Sequence, residues 1–138
     1  MYTVTVPASQ VVMTQPYLED DGLGMYLRAY DAGEKLIPKA RKIGDRFHIL
    51  DGHHKGAICD IVSGEITLTV HEQPEDYDPK ERGAYLVYTR WDSVVRQTFG
   101  TLPEFRAKQS PWLRTEEGVR AHLGVPYRSS EARYERAA

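Results

Sequence analysis

Phe47-His48-Ile49-Leu50-Asp51-Gly52-His53-His54-Lys55-Gly56-Ala57 is the stretch on which the reading turns. An apolar run ends at Asp51-Gly52, polar and cationic side chains follow, and small apolar residues begin. Ala57, Ile58, Ile61 and Val62 then fall on one face of a short helix, which Ser63-Gly64 closes. A strand passing through a glycine into a helix leaves free N–H groups and a positive dipole end at the junction, which is what an anion needs. Gly52 can take a backbone conformation closed to other residues, and Lys55 supplies a point charge for a phosphate. His53 and His54 can donate hydrogen bonds or handle protons near neutral pH, and Asp51 can hold a divalent cation or accept a proton. The same residues also fit an ordinary strand-ending turn with two surface histidines.

Upstream, Val4 and Val6 alternate with Thr3 and Thr5 as in a half-buried strand that Pro7 stops. Asp20 and Asp21 offer N-caps for a helix of about 12 residues carrying Leu23, Leu27 and Tyr30, with Gly33 as its stop. Leu36 to Ile43 and Arg46 to Leu50 flank Gly44-Asp45 as a hairpin. Downstream, Ile66, Leu68 and Val70 alternate with Thr67 and Thr69 as another strand. The order predicts an α/β (α+β) protein with a small mixed sheet. Asp76 to Pro79 is a polar break, and Ala84 to Thr89 reads equally as strand or helix entry. Asp92 to Phe99 reads as helix with Trp91, Val94 and Val95 on one face, and Thr115-Glu116-Glu117 opens a short helix that ends at Gly124.

The 138 residues suit one hydrophobic core; 41% are hydrophobic and 28% charged, ordinary for a globular chain. No run approaches the length of a membrane span, and the N-terminus lacks a signal core, so a cytoplasmic protein is expected. The single Cys59 excludes an internal disulfide and a multi-cysteine zinc site; beside Ile58 and Ile61 it reads as a small buried hydrophobe. A net charge of −2 argues against a protein that coats nucleic acid. Arg114, Arg120 and Arg128 read as scattered surface cations, His48 and His71 as packing or surface residues on strands, and His122 as a helix C-terminal cation.

The loop resembles that of the ParB/sulfiredoxin superfamily, in which a strand leads into Asp-Gly-His-His-Arg or Asp-Gly-His-Thr-Arg and then an alanine-rich helix. Val11-Val12-Met13-Thr14-Gln15-Pro16 is similar to the family's early Gln-Pro segment, and Leu36-Ile37-Pro38, Gly44-Asp45 and Gly64 to Val70 fall where it places corresponding features. The resemblance covers roughly residues 3–72, about half of the chain. It implies a nucleotide-binding core over 1–75; it does not extend to 76–138, which the residues themselves suggest to be a mainly helical C-terminal extension packed on that core. Lys55 stands where the family usually has Arg, keeping the charge without the bidentate fork. His53 stands where sulfiredoxins carry a catalytic Cys, which argues against a sulfinic-acid reductase. No Glu-Arg-Arg loop or helix-turn-helix is present, which argues against a partition protein.

The loop is closest to the free serine kinase branch. That likeness implies a phosphotransferase or nucleotide hydrolase using ATP, ADP or CTP with Mg²⁺, acting on the hydroxyl of a small metabolite such as a free amino acid. Asp51 and His53 would lie near the reacting hydroxyl or the metal, with Asp51 as metal ligand. His54 and Lys55 would hold phosphates, within a binding segment of Gly52, His53, His54, Lys55, Gly56 and Ala57 joined by Gln15. The branch draws an acidic base from the early segment; Gln15 occupies that place and cannot serve, so Glu19, Asp20 or Asp21 is the substitute, and with the two aspartates suited to helix capping Glu19 is the catalytic candidate. The alternative is a ParB-like regulatory module, or a nuclease, that binds nucleic acid or a partner with little turnover. Nucleic acid is not favoured, no membrane association is expected, and a homodimer is left open.

Overall fold

The computed structural model describes residues 1–74 and 90–127. Five strands form one mixed sheet: β1 (Tyr2–Pro7), β2 (Val11–Val12), β3 (Lys39–Ile43), β4 (Arg46–Asp51) and β5 (Glu65–Val70), in the spatial order β1-β5-β3-β4-β2. β1 runs antiparallel to β5 and β3 antiparallel to β4, whereas β3–β5 and β4–β2 are parallel. With helices α1 (Asp20–Asp31), α2 (His53–Ser63), α4 (Leu102–Ala107) and α5 (Glu116–Leu123), and a helical stretch α3 over 90–96, this is an α+β fold.

The strand period of two assigns each side chain of β4 to a face. Phe47 and Ile49 enter the main core with Leu23 and Leu27 of α1, Ala57, Ile58 and Ile61 of α2, and Ile66, Leu68 and Val70 of β5. Leu50 enters a smaller cluster with Trp91 and Val94 on the opposite face, where His48 Nδ1–H donates to Val94 O at 2.6 Å. Because both faces of β4 are covered, its residues 47 to 50 are all buried, His48 included, and show no alternation of apolar and polar. Val95, expected beside Trp91 and Val94, is exposed instead. One residue beyond Val94, it is rotated by about 100° around the helix and so faces away from the sheet.

Leu102, Phe105, Leu113, Val119 and Val125 lie in the same core cluster as the residues of β1 to β5. Two buried arginines fasten this part of the chain to the rest. Arg106 meets Asp60 of α2 at 2.7 Å and donates to the carbonyls of Leu113 and Arg114. Arg120 forks onto Asp31 of α1 with two 2.8 Å bonds and also meets Glu116. Those carboxylates, Asp31 foremost, hold the Arg120 guanidinium above its ordinary pKa against the opposing effect of burial. The pairs satisfy charges that burial would otherwise penalise.

Local rules explain most boundaries. Gly64 and Gly124 take left-handed C-cap conformations at φ 74° and 68°. Thr101 caps α4 by accepting from Glu104 N–H, with Pro103 in the first turn, and Thr115 caps α5 in the same way through Gly118 N–H. The β3 strand begins at Lys39, later than the expected Leu36, and Leu36 is buried ahead of it. Asp20 and Asp21 lie in the first turn of α1, and Glu19 is its N-cap. The polar break at Asp76 to Pro79, the stretch Ala84 to Thr89 and Arg128 lie outside the described residues. No described helix is long and apolar enough to cross a membrane.

Candidate functional site at the strand–helix junction

The site begins where β4 leaves the sheet. Asp51 is the last strand residue, in register with Lys39 of β3. Gly52 then turns the chain at φ 95° and ψ 39° into α2. A Cβ there would sit 3.1 Å from Pro38 Cα, so both the conformation and the space call for glycine. The N-cap residue, Gly52, has no side chain with which to cap α2; the first internal bond is Gly56 N–H to Gly52 O at 2.9 Å. The N–H groups of the preceding first turn therefore point out of an eleven-residue helix, with the positive end of its dipole behind them.

His53 does not face solvent. The residue is 4% exposed, and Nε2 accepts from the Thr14 backbone N–H at 3.1 Å. The same nitrogen lies 2.9 Å from Thr14 Oγ1 and 3.5 Å from Arg90 Nη2. A nitrogen accepting from an amide carries no proton, so the imidazole is neutral with its hydrogen on Nδ1. Burial, then the charge of Arg90, then His54 lower its pKa to about 3. Thr14 Oγ1 completes the cluster, donating to Ile49 O at 2.5 Å and accepting from Arg90 Nη2 at 2.6 Å.

His54 turns the other way, toward α1. Its Nε2 accepts from the backbone N–H of Glu19, the N-cap residue of α1, at 2.9 Å. Burial lowers the His54 pKa and the nearby Glu19 carboxylate partly offsets this. Gly22 makes the contact feasible, because a Cβ there would lie 2.6 Å from the ring. Lys55 runs past Gly52 and sets its ammonium 5.6 Å from the centre of the Tyr26 ring. Gly56 and Ala57 are buried, and a Cβ on Gly56 would lie 3.3 Å from both Ile49 and Leu102. Gln15 donates its amide to Tyr17 O at 2.9 Å.

Asp51, Gly52, His53, His54, Lys55 and Glu19 are thus grouped at one junction, with Thr14 and Arg90 behind them. Gly56 and Ala57 contribute packing. Thr14 and Arg90 were not singled out from sequence; they meet His53 across 39 and 37 positions, a separation no local pattern reports. The other histidines serve elsewhere. His122 bonds Asp20 at 2.9 Å while stacking on Trp112, and His71 is buried. Arg120, expected as a surface cation, is buried, whereas Arg114 is exposed. Cys59 is half-buried against the core. A separate cleft of about 320 Å³, lined by Tyr2, Arg41, Lys42, His71, Glu72 and Trp91 among others, does not include the junction.

No group of three or more His, Cys, Asp or Glu among the described residues could hold a metal ion by itself. Mg²⁺ bound with a nucleotide takes one or two carboxylates, completing its shell with phosphate oxygens and water. Asp51, a single carboxylate at the end of β4 beside the turn into α2, would meet that lesser demand. Comparison with family models, curated proteins and solved structures finds no match to this chain.

Proposed function

We propose that the chain binds a nucleotide through its phosphates at the N-terminus of α2, and that it transfers or hydrolyses the terminal phosphoryl group. The first turn of α2, entered through a left-handed Gly52 that brings no capping side chain of its own, carries this reading. Lys55 lies close enough to swing from Tyr26 onto a bound phosphate. Glu19, beside His54 at the mouth of the loop, is the carboxylate best placed to accept a proton from an incoming hydroxyl or water. Asp51 would hold Mg²⁺, which supplies charge neutralisation on the phosphates when bound. Within this reading His53 is a strut, because its one basic nitrogen is already committed to Thr14. A small hydroxyl-bearing metabolite is the proposed acceptor, in keeping with the loop's likeness to the free serine kinase branch of the ParB/sulfiredoxin superfamily.

A second reading, phosphate binding without turnover as in a regulatory module, is favoured by that same commitment of His53 and by the Gln15 amide turned onto Tyr17 O. Phosphorus NMR separates the two. The protein with Mg²⁺ is incubated with ATP, ADP or CTP and a pool of hydroxy amino acids. Loss of the terminal phosphoryl group, abolished by Asp51→Asn and at least tenfold slower in Glu19→Gln, supports the enzyme. Saturable binding with unchanged nucleotide supports the regulatory module.

A further inference from the structure

Arg90 stands at the start of the described part of α3, in the half of the chain that the loop pattern does not cover. Its side chain crosses to the junction. Nε donates to Leu50 O at 2.8 Å, and Nη2 donates to Thr14 Oγ1 at 2.6 Å and lies 3.2 Å from Ile49 O. Nη1 lies 3.5 Å from Thr14 O, and Nη2 lies 3.5 Å from His53 Nε2. One guanidinium therefore touches the last peptides of β4, the segment after β2, and the first residue of α2. The helix that carries it is itself held. Trp91 and Val94 pack on Leu50, and Val94 O accepts from His48.

We propose that Arg90 is the positioning residue of the phosphate loop. By fixing the Ile49 and Leu50 carbonyls it sets the direction in which Asp51 and Gly52 leave the sheet. Through Thr14 and His53 it fixes the first turn of α2, whose N–H groups are the anion donors. Its charge, one imidazole away from that turn, adds to the positive potential that the helix dipole supplies. A planar fork with five donors can reach several carbonyls at once, which an ammonium cannot. The inference rests on the phosphate-binding reading above and names the residue outside the loop on which that binding depends.

Titration with inorganic phosphate tests it, following the backbone amides of Gly52 to Lys55 by nitrogen–proton NMR. The proteins are wild type, Arg90→Gln, Arg90→Lys, and Arg120→Lys as a control. Arg120→Lys weakens a buried fork far from the loop and should keep wild-type affinity. Arg90→Gln should bind phosphate about tenfold more weakly or worse, and Arg90→Lys, which keeps charge without the fork, should fall between. Equal affinity in wild type and Arg90→Gln overturns the role of Arg90 and leaves the phosphate reading standing. If Arg90→Gln does not fold, Arg90→Lys decides: weakened binding with shifted loop amides supports the role, and wild-type behaviour overturns it. No saturable shift in wild type overturns both.

Discussion

Gly22 and His54 meet so closely that each explains the other. A Cβ on Gly22 would fall 2.6 Å from the His54 ring, so Gly22→Ala is expected to cost about 1–3 kcal/mol by overpacking. In a His54→Ala background the same change should become stabilising by roughly 0.5–1 kcal/mol, because alanine is then simply the better helix former. Urea denaturation of the four proteins checks that reversal of sign. His53 makes a second prediction. Its folded pKa, about 3, lies below the ordinary 6.5, so between these values the unfolded chain binds a proton that the folded chain refuses. Stability is therefore full above about pH 6.5 and falls as pH drops toward 3, by roughly 1 kcal/mol per pH unit. His54, also lowered, acts in the same direction. Denaturant midpoints from pH 7 to pH 4 measure the slope, and a His53→Gln variant that folds should flatten it. An unchanged slope in that variant would contradict the assignment.

At the scale of elements, legibility followed locality. The β4 run, Gly52, the apolar face of α2, the alternation of β5 and the caps of α5 are signalled by neighbours in sequence, and each is where those signals put it. The Thr101-Leu102-Pro103-Glu104 cap signature of α4 is equally local. The parallel pairing of β3 with β5 and of β2 with β4 joins distant segments, and no periodicity encodes it. The site divides along the same line. Asp51, Gly52 and Lys55 are readable as a motif, whereas the inward turn of His53 and the arrival of Thr14 and Arg90 depend on the tertiary packing of three elements. Arg106 tests how firmly one such packing is made. Arg106→Ala strands Asp60, 6% exposed, without its partner on α2, and should cost about 3–5 kcal/mol. Adding Asp60→Ala should return a substantial part of that loss in a double-mutant cycle; additive losses would show that the pair is not coupled.

Across the whole molecule, the segments before and after the undescribed stretch share one core. Leu102, Phe105, Leu113 and Val119 are all buried, and each is worth about 1.5–3 kcal/mol of burial, a sum comparable with the entire stability of a small domain. A fragment of residues 1–74 is accordingly expected to lose cooperative unfolding, which circular dichroism against denaturant would reveal; a sharp native-like transition would show that the sheet stands without its C-terminal cover. The full chain is then the proper object for the central claim, that the first turn of α2 is a phosphate site. Nitrogen–proton NMR of the intact protein titrated with ATP and Mg²⁺ tests this most directly. Saturable shifts concentrated on the amides of Gly52, His53, His54 and Lys55, weakened at higher salt and by Lys55→Ala, are the expected result. Shifts absent at millimolar ATP, or saturating elsewhere while these four amides stay still, would contradict it.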